Sequence, residues 1–124
     1  MAVEAPSGVL LVLLGISYNK KEAIFVGLKE LKPDIVKAYF DFSKAVDKTD
    51  KLTQKEKELI SVGVSHALLC SFCIEDHVRK ARVAGATEEE IAEAILVAAK
   101  VRAGSALTYA QHYAFKKEEE KAQQ

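Results

Sequence analysis

The sequence predicts an all-α protein, and three observations support this fold class. The 124 residues contain only two prolines, Pro6 and Pro33, so long helices are permitted almost everywhere. Apolar residues recur at intervals of three and four, as they do on one face of a helix. Two predicted helices begin with capping boxes, and the chain shows no strand pattern. A chain of this length suffices for one domain with one hydrophobic core.

The first predicted element is a continuous apolar run over residues 8–16. It is far shorter than the ~20 residues that span a bilayer. Only Glu4 is charged before it, so the basic start of a signal peptide is missing. The pattern does not decide between helix and strand. We interpret the run as a packing segment and expect an oligomer interface to cover Val9 to Leu14.

Two helices are predicted next. Asn19 is a helix cap for a segment that runs to about Leu31. Pro33 fits the first turn of the following helix, because its missing N–H has no partner to lose there. The apolar stripe of this helix, with spacings of four, three and four, consists of Ile35, Tyr39, Phe42 and Val46. The polar residues 47–51 form a linker.

The central predicted helix begins at a capping box formed by Thr53 and Glu56. Its second half is apolar on most sides, so we expect it to be buried and to deliver Cys70 from inside the core. No glycine or proline interrupts the chain before Gly85, yet one helix over that whole length would exceed the usual globular range. We therefore predict a break near Leu69 or Cys70, and a second helix that Gly85 ends.

A second capping box, Thr87 with Glu90, begins an alanine-rich helix that a neighbouring helix can approach closely. We expect this helix to run to about Ala103 and to end at Gly104. A last helix is predicted to follow as far as Tyr113.

Composition restricts the class of protein. Lys plus Arg and Asp plus Glu number 18 each, and this zero net charge does not favour a nucleic-acid partner. With 49% hydrophobic and 29% charged residues the chain is predicted to be soluble, without a membrane partner. Two cysteines are too few for a secreted disulfide framework, so we expect a reducing, cytoplasmic location. The predicted organisation is an N-terminal packing segment (1–50), a core (51–115) and a charged tail (116–124).

The reactive side chains are concentrated in residues 69–77. Cys70, Cys73 and His77 follow one another at intervals of three and four, which places them within an arc of roughly 60° on a helix. A thiolate at the start of a helix is stabilised by unpaired N–H groups and the helix dipole. Histidine exchanges protons near neutral pH. The predicted chemistry is reversible thiol–disulfide redox.

Other interpretations of these residues stay open. Buried cysteines often only fill space. Two thiols and an imidazole are zinc ligands, but structural zinc usually needs four, and only His66 and His112 remain as similar donors. A c-type haem site requires histidine where Ile74 stands, and a thioredoxin motif requires a strand–helix–strand context. We therefore predict no metal and no cofactor beyond a redox-active disulfide.

A longer motif surrounds the cysteines: Glu58, Cys70, Cys73 and His77, followed by Gly-Ala-Thr-Glu-Glu-Glu-Ile at residues 85–91. This pattern resembles the carboxymuconolactone decarboxylase superfamily, and more narrowly its AhpD-like alkylhydroperoxidase branch. The resemblance covers roughly residues 52–113, and residues 1–50 carry none. It implies an AhpD-like helical bundle, in which an antiparallel helix pair carries the CxxC motif, assembled as a dimer, trimer or hexamer.

By position, the resemblance implies that Cys73 attacks a hydroperoxide and that Cys70 resolves the sulfenic acid to a disulfide. His77 and Glu58 would form a proton relay. On one continuous helix Glu58 would lie about 18 Å from Cys70, whereas a fold-back before the cysteines brings Glu58 and His77 to a similar depth. Phe72 stands where better-known peroxidases carry histidine. It predicts a drier site, with weaker peroxidase activity or a disulfide as substrate.

The leading prediction is a thiol-dependent oxidoreductase that reduces hydroperoxides, or a disulfide, through a Cys70–Cys73 dithiol/disulfide cycle. An unidentified thiol or dithiol donor would re-reduce the pair. Two alternatives stay open. One is a lactone enzyme of the decarboxylase branch, which uses acid–base chemistry and generally lacks CxxC. The other is a non-catalytic oligomeric helical module with buried thiols.

Overall fold

The structure is a computed structural model that describes residues 26–115. Within this range the chain forms five helices and no strand, which confirms the all-α class. The helices are α1 (Val26–Leu31), α2 (Pro33–Asp47), α3 (Gln54–Ala67), α4 (Ser71–Val83) and α5 (Glu88–Tyr113). The apolar run at 9–14 and the cap at Asn19 lie outside the described residues. None of the five helices is both long enough and apolar enough to cross a bilayer.

The chain divides into two compact units, Met1–Thr49 and Asp50–Gln124. In the first unit Pro33 occupies the first turn of α2, as predicted, and Val36 is the buried residue of this helix. The stripe identified from the sequence is exposed at all four positions, Ile35, Tyr39, Phe42 and Val46.

In the second unit α3 packs against both α4 and α5. The fully buried Val62 of α3 lies in one cluster with Ala81 of α4 and Ile91 of α5. Helices α3 and α5 approach closely, because a Cβ added at Gly63 would lie 3.2 Å from the carbonyl oxygen of Ala94. The alanine-rich sequence of α5 permits this contact, as the sequence indicated.

The relative directions of α3 and α5 follow from two polar contacts. Near their first turns, Lys55 Nζ lies 2.8 Å from Glu90 Oε1. Near the end of α3, the Arg102 guanidinium donates to the carbonyl oxygen of Ala67. The two helices therefore run in the same direction, and Arg102 holds the last turn of α3 in place.

Both predicted capping boxes are present. Thr53 and Glu56 exchange side-chain and backbone hydrogen bonds at the start of α3, and Thr87 and Glu90 do so at the start of α5. These bonds satisfy N–H groups that a helix otherwise leaves without partners. In addition, the side chain of Glu88 binds the guanidinium of Arg82, across the turn between α4 and α5, at 2.7 and 3.0 Å.

The expectation that Gly104 ends a helix is wrong, because α5 continues to Tyr113. A glycine inside a helix costs only about 1 kcal/mol relative to alanine. It ends the helix when it adopts a positive φ, and among the described residues only Leu69 and Gly85 do so. Gly85, with φ 89°, ends α4 as predicted.

The expectation that Cys70 is delivered from inside the core is also wrong. Leu68 and Leu69 are exposed, and Cys70 is half-buried. Apolar residues surround the second half of α3, but the helices packed on it cover only part of its circumference. Ile60 and Val64 are therefore exposed as well. The cysteines lie at the turn between α3 and α4, where they are partly exposed to solvent.

Candidate active site

The break before the cysteines is confirmed, and its geometry is a Schellman turn. The N–H of Leu69 donates to the carbonyl of His66 at 3.2 Å, and that of Cys70 donates to Ser65 at 3.1 Å. Leu69 takes the left-handed position with φ 55°. A non-glycine residue there costs roughly 1–2 kcal/mol. Because the position is leucine, no glycine in the sequence marks this turn.

Cys70 follows the turn that ends α3 and is the residue at which α4 begins. It is the N-cap of α4, and its Sγ accepts a hydrogen bond from the backbone N–H of Cys73 at 3.4 Å. The two cysteines form a disulfide, with their Cα atoms 5.2 Å apart. The predicted intramolecular pair is therefore present, at the positive end of the α4 dipole.

Glu58 and His77 are brought together by the fold-back. The carboxyl of Glu58 is buried, with 6% of the residue exposed, and its Oε2 lies 2.8 Å from Nδ1 of His77. They come from antiparallel helices on either side of the turn, at the similar depth predicted from the sequence. Because its carboxyl is buried, Glu58 is not a solvated surface charge.

Gln54 completes the surroundings of this carboxyl. Its Nε2 donates to Oε1 of Glu58 at 2.8 Å, so each carboxyl oxygen has a partner. Among the described residues, no buried side-chain nitrogen or oxygen lacks a hydrogen bond. Gln54 was not among the residues predicted for the site. The signal that identifies it is the i, i+4 spacing to Glu58, which places both side chains on one face of α3.

The remaining candidates lie outside this contact. His66 places its Nδ1 2.8 Å from the carbonyl of Val62, one turn back on its own helix. Phe72 lies on the first turn of α4 and is 53% exposed. The cysteines beside it are half-buried, so they retain contact with water and the expected dry site is not observed.

Two ion pairs near the site connect α3 and α4 to the first turn of α5. The ammonium of Lys55 donates to Glu90 and, with the backbone N–H of Thr87, holds the pKa of the Glu90 carboxyl below its usual value. The guanidinium of Arg82 lowers the pKa of Glu88 in the same way. No group of three or more His, Cys, Asp or Glu side chains within the described range is placed to hold a metal ion. The Cys70–Cys73 disulfide is a redox-capable group in this region.

This chain is similar in sequence and in structure to known proteins. Residues 33–116 match the model of the carboxymuconolactone decarboxylase family. The match begins at residue 33, so the expectation that residues 1–50 carry no likeness is wrong for the α2 region. A protein of Paracoccus denitrificans described as "Uncharacterized protein 4 in cox locus" is 42% identical over 95 residues, 77% of this chain and 86% of that protein. A crystal structure of a protein from Methanobacterium thermoautotrophicum is 44% identical, with a TM-score of 0.65, and covers 68% of this chain and 96% of its own.

Proposed function

Because this chain belongs to the carboxymuconolactone decarboxylase family, a family that includes enzymes, we propose that it is an AhpD-like, thiol-dependent oxidoreductase that reduces alkyl hydroperoxides. One observation carries the proposal. The Cys70–Cys73 disulfide lies at the start of α4, and a buried Glu58 contacts His77 one turn beyond Cys73 on the same helix. A redox pair and a proton-exchanging pair thus lie about one helical turn apart along α4.

The proposed reaction has two steps that conserve atoms and electrons. The thiolate of Cys73 attacks the terminal oxygen of the hydroperoxide, the O–O bond breaks, and the alkoxide takes a proton to leave as an alcohol. Cys73 is then a sulfenic acid. The thiolate of Cys70 attacks its sulfur, the S–S bond forms, and hydroxide takes a proton to leave as water. Two electrons and two protons pass from the dithiol to the peroxide.

His77 and Glu58 supply the proton transfers in this scheme. An ionised Glu58 accepts from Nδ1–H, which leaves Nε2 of His77 as a proton acceptor. The ring takes a proton from a thiol and returns it to the departing oxygen, while the carboxylate stabilises the imidazolium formed in between. Because Glu58 is buried, little water competes for this contact.

The two sulfurs are assigned different tasks. The N-cap position and the Cys73 N–H stabilise a thiolate on Cys70. His77, however, is four residues from Cys73 and seven from Cys70, so proton exchange reaches Cys73 more easily. We assign the attack on peroxide to Cys73, and the resolving step to the stabilised thiolate of Cys70.

Single-cysteine variants test this assignment. Reduced Cys70→Ser and Cys73→Ser are each treated with one equivalent of an organic hydroperoxide and a sulfenic-acid trap. Cys70→Ser is expected to accumulate the trapped adduct on Cys73, and Cys73→Ser to stay unmodified. The reverse pattern would make Cys70 the attacking thiol, and no adduct on either variant would contradict the hydroperoxide reaction.

We further propose that the protein works in the cytoplasm and as a homo-oligomer. A thiol or dithiol donor must return two electrons to the disulfide, which fits a cytoplasmic, reducing location. We propose the homo-oligomer because α5 and Phe115 expose many large apolar side chains, which monomers rarely leave open to solvent as one patch. These side chains are Leu96, Val97, Val101, Leu107, Tyr109, Tyr113 and Phe115.

A further inference from the structure

Gln54 makes a contact that its position in the fold does not require. It is the first residue of α3, and it is exposed, yet its side chain reaches one turn along the helix to Oε1 of Glu58 at 2.8 Å. The first turn of a helix is stabilised by acidic side chains, because they complement the positive end of the dipole. A glutamate at position 54 would complement the helix dipole better than the neutral amide does. The helix alone therefore does not account for Gln54.

The carboxyl of Glu58 needs a second donor if it is to stay aimed at His77. The terminal torsion of a glutamate is broad, so one hydrogen bond alone leaves the group free to rotate. Gln54 holds Oε1 while His77 contacts Oε2, and the two contacts together fix the carboxyl plane. Because the group is buried, water is a poor substitute for the amide.

The charges around Glu58 show why the donor is a neutral amide. The carboxyl of Glu58 contacts His77, which lies on α4. The neighbouring cation on α3, Lys55, is bonded to Glu90 of α5, which the Thr87 backbone also binds. An ammonium at position 54 would neutralise Glu58 and weaken its support of an imidazolium. An amide donates a hydrogen bond and leaves the negative charge available to His77.

We infer that Gln54 is a positioning residue that orients Glu58 so that His77 keeps its proton on Nδ1 and its Nε2 free to exchange protons with the cysteines. This inference rests on the proposed function for the last step only. The tautomer of His77 is a property of the folded protein, whether or not it turns over a peroxide.

The test compares Gln54→Met, which keeps the size of the side chain and removes the donor, with Gln111→Met. Gln111 is an exposed glutamine near the end of α5 and serves as a matched control. Nitrogen-15 NMR of the folded proteins reports which ring nitrogen of His77 carries the proton, with His77→Gln used for assignment. We expect wild type and Gln111→Met to hold the proton on Nδ1, and Gln54→Met to lose that preference.

The rate of peroxide oxidation of the reduced cysteines is measured on the same samples. Partners that orient a reactive histidine in metal sites change activity by about 10- to 100-fold, and Gln54 acts through Glu58, so we expect a fall of about tenfold. Gln54→Glu separates positioning from stability. An acidic side chain in the first turn of α3 complements the helix dipole, and the like charge beside Glu58 offsets that gain, so the unfolding temperature should change little. The same like charge turns the Glu58 carboxyl away from its present orientation, so the rate should fall.

The outcomes are distinct. If Gln54→Met keeps the wild-type tautomer of His77, the inference is overturned, whatever the rate. If the tautomer changes but wild type does not react with hydroperoxide, Gln54 positions Glu58 and the proposed function fails. If wild type reacts and Gln54→Glu reacts equally fast at unchanged stability, Gln54 is an ordinary surface residue.

Discussion

Replacing Glu58 by glutamine isolates the charge of the buried carboxyl. The variant keeps the shape of the side chain, and Gln54 can turn its amide to remain bonded. A hydrogen bond to a charged group contributes about 1.5–3 kcal/mol and a neutral one about 0.5–1.5 kcal/mol, so we expect stability to fall by about 1 kcal/mol. Because folded domains are stable by about 5–15 kcal/mol, the variant stays folded.

The effect on the rate should be larger than the effect on stability. Without the carboxylate, the imidazolium of His77 loses its stabilising partner, which lies at 2.8 Å. We expect the thiol–peroxide reaction to slow by about 10- to 100-fold, at or just below the lower end of the roughly 100- to 10,000-fold range for positioned acid–base groups. This corresponds to about 1.4–2.8 kcal/mol in the barrier.

The assay is single-turnover oxidation of the reduced protein by an organic hydroperoxide, followed between about pH 6 and 9, where histidine and thiols titrate. Glu93→Gln is the matched control, because Glu93 is an exposed glutamate on α5. The control should react like wild type across this range. A Glu58→Gln rate equal to wild type at every pH would refute the relay, since the buried carboxyl would then be structural only.

Three further predictions concern packing, pH and assembly. Val62→Ala removes two methyl groups at a fully buried position, so the free energy of unfolding measured in urea should fall by about 2 kcal/mol. Val83→Ala, at an exposed position, should leave that free energy nearly unchanged. Equal effects of the two substitutions would contradict the described core. The folded-state pKa of Glu90 is lowered by Lys55 and the backbone of Thr87, so this carboxyl stabilises the fold above its ordinary pKa and loses that contribution as pH falls through the lowered value. Glu90→Gln should therefore be less stable than wild type at neutral pH and lose less on acidification; parallel stability curves would contradict this. Light scattering should give a mass above the 13.6 kDa of one chain, and a monomer at micromolar concentration would defeat the oligomer proposal.

The sequence carries local signals most clearly where a side chain bonds to its own backbone. The capping boxes at Thr53 and Thr87 follow from spacing alone, and both are present. The turn before the cysteines was predicted near Leu69 or Cys70 from helix length alone. No residue type marks it, because Leu69 takes a conformation that usually favours glycine. Gly104 led to the wrong prediction of a helix end, because a glycine in a helix interior is tolerated.

The candidate site was predictable in part. Once a fold-back is assumed, the positions of Glu58 and His77 in sequence place them at similar depth, and they lie in contact. Gln54 was missed because an amide at a helix start carries no reactive signature. The exposure of Cys70 was misjudged because apolar composition does not specify how many neighbours a helix has. That depends on contacts between elements, which the pattern of one helix does not record.

The most direct test of the redox proposal is the mass of the intact protein before and after one equivalent of an organic hydroperoxide. If Cys70 and Cys73 cycle as proposed, the reduced protein loses the mass of two hydrogen atoms, one equivalent of alcohol appears, and a dithiol restores the original mass. Alkylation of both thiols beforehand should abolish all three changes. A reduced protein that keeps its mass and both free thiols while the hydroperoxide persists would contradict the account.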